Sequence, residues 1–92
     1  MAEQVNRRLW ATGLGLAPGQ AQGWAEDGQK YGRVRWFLAF PLALSGVARA
    51  VEIERVFTRV NAQGERRIEV TVRNLGTTVA NYGIFVAETT GP

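Results

Sequence analysis

The sequence contains no cysteine and no histidine. Without cysteine, neither a disulfide nor a thiolate metal site supports the fold. Without histidine, the commonest general base, the commonest zinc and iron ligand and the usual pH switch are all missing. Lysine is represented by Lys30 alone, so the other basic residues are arginines, and proline occurs three times. Long apolar runs are lacking too: "WFLAFPLAL" is interrupted by Pro41 and falls far short of the roughly 20 residues of a transmembrane helix. The start, "MAEQVNRRLW", has no apolar core of a secretory signal. The expectation is therefore a cytoplasmic protein with no membrane insertion, or an extracellular or particle-surface one if a leader has been trimmed.

What is present suits a small globular domain. The 92 residues are 46% hydrophobic and 21% charged, with a net charge of +3 and three Trp, two Tyr and four Phe. A chain of this length is read as one domain spanning residues 1–92, with a thin core, because a small fold hides only about 60 to 65% of its unfolded surface. Large aromatic side chains help such a core.

The clearest periodicity lies in the second half. In "RIEVTVRN", Ile68, Val70 and Val72 alternate with Glu69, Thr71 and Arg73, the period of two expected of a half-buried strand. "NLGTT" is a turn cluster, and "VANYGIFVAE" alternates again with Ala80, Tyr82, Ile84 and Val86 on one face. "AVEIERVFTRV" is rich in β-branched residues and runs into "NAQGE", a suitable hairpin loop. Its apolar phase slips near Arg55, as a β-bulge or a strand changing sheets would cause. "GRVRWFLAFPL" sets Val34, Trp36, Leu38, Phe40 and Leu42 on one face, predicted as the core side, against Arg33, Arg35, Phe37 and Ala39. Pro41 marks a sheet edge or exit there. "RRLWATGLGLA" and "GQAQGWA" read as two more strands joined at Pro18-Gly19. Short strands separated by turns, without an amphipathic helix, predict an all-β fold.

The glycines of "TGLGLAPG" invite comparison with a phosphate loop. A dinucleotide fingerprint needs its third glycine in register and a helix to follow; here Pro18 fills the sixth position and "QAQGWAEDG" has no helical period. A P-loop ends in Lys-Ser or Lys-Thr, whereas Gln20 follows Gly19. The stretch is read as a strand in which Gly13 and Gly15 share one bare face, open to the approach of another backbone or a bulky aromatic.

"TVANYGI" resembles the D-x-A-x-Y-x-C run of immunoglobulin-like domains, with Ala80 and Tyr82 matched, Thr78 in the acidic position and Ile84 in the cysteine position. Trp36 lies upstream at a plausible distance for the core Trp of that family. The likeness is to disulfide-free bacterial members of the cell-adhesion-related, CARDB-like group, and it covers about the last 60 residues. It implies a small antiparallel Ig-like β-sandwich of about six to seven strands. It also implies that Tyr82 is a tyrosine-corner residue whose hydroxyl ties down the turn after Asn74. Too few residues follow the Tyr-bearing strand for the family's last strand. The resulting open edge would be closed by the chain's own first strand or by a neighbouring chain.

Three readings of function follow. Groups for acid–base or nucleophilic work are few, so the expectation is a non-enzymatic module without a cofactor, working by protein–protein assembly or adhesion through a strand edge or sheet face, with a protein partner or itself as a homo-oligomer. A second reading is a carbohydrate-binding module in which Trp24 and Tyr31, flanking the polar loop "AEDGQKYG", stack on a glycan. A third takes Arg33, Arg35, Phe37, Arg55, Phe57, Arg59 and Arg73 as one basic, aromatic sheet face for single-stranded nucleic acid. Glu52, Glu54, Glu65 and Glu69 are placed to neutralise that face.

Overall fold

A computed structural model describes residues 4–28, 34–42 and 49–90. They form six strands and, among the described residues, no helix. The strands are β1 (Gln4–Leu16), β2 (Ala21–Asp27), β3 (Arg35–Pro41), β4 (Val51–Val60), β5 (Arg66–Asn74) and β6 (Ala80–Thr90). They make two antiparallel three-stranded sheets, ordered β1-β6-β3 and β2-β5-β4. Only β4 and β5 are neighbours in both sequence and sheet; every other connection passes from one sheet to the other.

The local chemistry explains the turns. At the β4–β5 hairpin, Asn61 Oδ1 accepts from the backbone amides of Gln63 and Glu65, both at 2.9 Å. Gly64 there has φ of 80°, a conformation glycine adopts without steric penalty. The crossing from β1 to β2 is clamped at the end of β5: Gly19 donates to the Asn74 carbonyl and Asn74 donates to the Gln20 carbonyl, both at 3.0 Å.

Each sheet lays one face on the other. Val70 and Val72 of β5 meet Tyr82 and Ile84 of β6, with Leu16 of β1 and Ala39 of β3 completing the buried centre. Trp10, Trp24, Phe37, Val51 and Ile53 pack around it. Full burial of each such aliphatic side chain is worth about 1.5 to 3 kcal/mol. The body measures 46 × 33 × 15 Å, two layers thick and flat, so each sheet also presents a broad outer face.

One sequence expectation is overturned and two open alternatives are settled. Alternation along β1 does not persist: its register against β6 shifts between Gly13 and Leu16, and Gly15 takes φ of 69°. Gly13 and Leu16, three apart, are both buried while Leu14 and Gly15 are exposed. Gly13 and Gly15 therefore do not share one bare face. The phase slip in β4 is a bulge at Glu54, where the register against β5 shifts between Ile53 and Arg55. The strand carrying Tyr82 has no open edge, because β1 pairs with it on one side and β3 on the other.

Candidate interaction face

The interior accounts for several residues singled out in the sequence. Gly13 is the site of closest approach: a Cβ there would stand 2.1 Å from Cζ of Tyr82, so only hydrogen leaves room for the ring. Tyr82 is fully buried. Its hydroxyl donates to Oε1 of Gln22 and accepts from Nε1 of Trp24 at 2.7 Å. Both partners lie on β2, so Tyr82 ties the two sheets together and does not anchor the turn after Asn74. That turn is held by Asn74 itself: Nδ2 donates to the Leu16 carbonyl at 3.0 Å and to the Thr78 carbonyl at 2.8 Å, and Oδ1 accepts from the Gly76 amide. Burial pushes the Tyr82 phenol up, and the hydrogen bond from Trp24 works against that push.

Trp24 is thus a strand residue turned toward the core, set edge-on to Tyr82 with ring centres 6.4 Å apart. Its sequence-predicted companion in a glycan platform, Tyr31, lies outside the described residues, as does Arg33.

β3 reverses the sequence expectation. Phe37 and Ala39 turn inward, with Phe37 packed edge-on against Trp10 at 5.0 Å. Trp36, expected in the core, is 54% exposed and Leu38 64%. The reason lies in the cross-strand register: Arg35 pairs with Glu88, Phe37 with Val86 and Ala39 with Ile84. Glu88 sits on the inward face of β6 and is buried. A carboxylate there needs a counter-charge, since an uncompensated buried charge is costly. Arg35 supplies it, bonding Glu88 through Nε and Glu26 of β2 through Nη1 at 2.9 Å, while Trp10 Nε1 donates to Glu26 at 2.9 Å. Turning Arg35 in turns Trp36 out.

The proposed arginine–phenylalanine face is accordingly divided. Arg35 and Phe37 lie between the sheets, and Arg55, Phe57, Arg59 and Arg73 lie on the outer face of β2-β5-β4, as their register partners Thr71, Glu69, Arg67 and Glu52 show. Arg55 rests 4.3 Å above the Phe57 ring. Three of the cations there have carboxylates beside them. Arg59 donates to Glu69 at 2.6 Å, Arg67 to Asp27 at 3.1 Å, and Arg73 makes a two-pronged contact with Glu54 at 2.6 and 3.1 Å. The Glu54 carboxyl is held below its ordinary range chiefly by the Arg73 hydrogen bond. This face is charge-balanced and solvated.

The outer face of β1-β6-β3 is different in kind. Val5, Leu9, Trp36, Leu38 and Phe85 stand 43 to 64% exposed on it. Phe40 stacks on Phe85 at 4.9 Å, and Phe40 and Leu9 close over Gly83, where a Cβ would meet them at 3.1 and 3.2 Å. Beside this ridge runs a groove of about 520 Å³ bordered by Arg7, Trp36, Leu38, Phe85 and Ala87. Single exposed apolar residues are ordinary, but a contiguous apolar field is not. Sequence reasoning missed this surface, although the signal was present: β3 carries apolar residues on both faces, and a strand with one face buried needs only one.

Comparison of the chain with known protein families, with characterised proteins and with solved structures finds no match. The face has to be read from its own chemistry. Among the described residues no group of three or more carboxylates could hold a metal ion, and no helix is long and apolar enough to cross a membrane. Covering this apolar, nearly uncharged surface would release the water that lies on it.

Proposed function

We infer that the protein is a non-enzymatic assembly module of immunoglobulin-like build, which works by pressing the outer face of β1-β6-β3 against a protein partner. The observation that carries this reading is the exposed apolar field of Val5, Leu9, Trp36, Leu38 and Phe85 on one sheet, set against the neutralised ionic surface of the other. Hydrophobic area of this kind drives association in rough proportion to what is removed from water.

The strand orders support the immunoglobulin-like part. In that family one sheet contains B-E-D in order and the other C-F-G. Here β2-β5-β4 follows the first order, and β3-β6-β1 follows the second with β1 in the place that the family gives its final strand. Tyr82 then falls on the F-like strand and Trp36 on the C-like strand, although Trp36 points outward.

The test is the native mass of the full chain in extract of cells that express it. The wild-type chain is expected to travel well above its own 10.1 kDa, and Leu38→Lys to return it to the single-chain position. A wild-type chain that travels as a single chain at every concentration overturns the reading.

A further inference from the structure

We propose that the partner on this face is a second copy of the chain, packed sheet against sheet about a two-fold axis that runs along β6. The proposal rests on the sheet-face reading above and names the occupant. The exposed area fits a second copy. Val5, Leu9, Trp36, Leu38 and Phe85, with Val34 and Leu42 at 52 and 39% exposure, leave residue surface on the order of 700 Å² in water, close to the roughly 800 Å² each partner brings to a standard interface.

The strand register fits it as well. Across the sheet, Arg7 of β1, Ala87 of β6 and Trp36 of β3 form one row, and Leu9, Phe85 and Leu38 form the next. A two-fold axis along the central strand lays β1 of one copy over β3 of the other, level by level. Leu9 then meets Leu38 of the second copy, Phe85 meets its own equivalent, and Ala87 leaves space on the axis. Sheets stacked in this way lie about 10 Å apart, and two faces with the same twist pack aligned.

The charge on the face fits it too. Arg7 is the one charged side chain bordering the groove, and no carboxylate of the described residues engages it. The same operation places its guanidinium over the Trp36 ring of the second copy, where a cation is attracted to the aromatic face. A basic partner would find no carboxylate here and an acidic one only Arg7, whereas a second copy satisfies Arg7 and covers the apolar rows at once.

The experiment uses the purified full chain, whose lack of native cysteine makes introduced thiols unique. Light scattering is expected to give twice the single-chain mass, Leu38→Lys to weaken self-association by at least about 30-fold, and Arg7→Gln by about fivefold. These positions are exposed, and an unchanged thermal transition at monomer concentration confirms that each variant folds. A mixture of Leu9→Cys and Leu38→Cys chains, treated with a bis-maleimide spanning roughly 10 Å, is expected to cross-link more than either alone. A purified wild-type chain of single-chain mass, while the species in extract remains large and sensitive to Leu38→Lys, overturns the second copy and leaves the face reading intact. A dimer indifferent to Leu38→Lys overturns both. Stronger cross-linking of Leu9→Cys with itself than with Leu38→Cys overturns the axis along β6.

Discussion

The outer faces of the two sheets solve the same problem in opposite ways. On β2-β5-β4, arginines find carboxylates on neighbouring strands, so that Arg73 meets Glu54 and Arg59 meets Glu69; the face stays in water at little electrostatic cost. On β1-β6-β3 the cross-strand neighbours are Leu9, Phe85 and Leu38, and hydrophobic area is left uncovered. Charge on the second sheet is instead drawn inside, where Arg35 lies between Glu26 and Glu88. The contrast teaches that the residues a strand sends outward are set by what its neighbours need within.

The largest effect comes from breaking the interior on which both faces sit. Gly13→Ala drives a methyl group into the buried Tyr82 ring and is expected to cost about 3 kcal/mol or more in urea unfolding, the upper range for overpacking. Gly23→Ala on β2, where nothing stands within 4 Å of the added carbon, is expected to change stability by about 0.5 kcal/mol at most. Equal costs would mean that the Tyr82 ring does not lie against β1.

Next is the contrast between inner and outer arginines. Arg35→Met removes the cation lying between Glu26 and Glu88 and is expected to destabilise by about 3 kcal/mol. Arg59→Met, which removes a largely exposed partner of Glu69, is expected to cost less than about 1 kcal/mol. Comparable denaturation midpoints for the two variants would erase the distinction between the faces.

A smaller effect is expected at alkaline pH. The Tyr82 phenol is pushed up by burial, so the folded state favours its neutral form. Its contribution is fully present below the unfolded value of about 10 and is lost as pH rises through the higher folded value. Urea midpoints should fall across that window, and Tyr82→Phe should remove this part of the slope. A wild-type slope that is unchanged in Tyr82→Phe would refute the assignment.

The smallest effect belongs to the exposed pair of Glu54 and Arg73. Glu54 is held low by the Arg73 hydrogen bond, so its contribution is present above the ordinary carboxylate value and is lost as pH falls through the folded one. Glu54→Gln should flatten the acid limb slightly, and salt should shrink the difference. An acid limb that changes more for Glu54→Gln than the midpoint changes for Arg35→Met would reverse the ranking of inside over outside.

Much of the fold was legible. The period of two in β5 and β6 named their inner residues, and Asn61 and Gly64 marked the hairpin between β4 and β5. The slip at Arg55 announced the bulge. The bare position at Gly13 was legible as an approach site, but not the ring that fills it, because Tyr82 is distant in sequence. The face of β3 was not legible, since both of its sides carry apolar residues and local alternation cannot choose between them.

By itself, then, the sequence determined that this is an all-β chain and which residues of β5 and β6 face inward, because alternation is a local property with a local reading. Tertiary structure alone decided that Arg35 and Phe37 go in, that Trp36 goes out and that Tyr82 bonds to β2. Each of those outcomes depends on residues brought together across strands and sheets: the Glu88 carboxylate beside Arg35, the Trp10 ring against Phe37 and the Gln22 and Trp24 partners of the Tyr82 hydroxyl. The energy of satisfying a buried charge or hydroxyl outweighed the apolar pattern of a single strand, and the exposed face of β1-β6-β3 is the result.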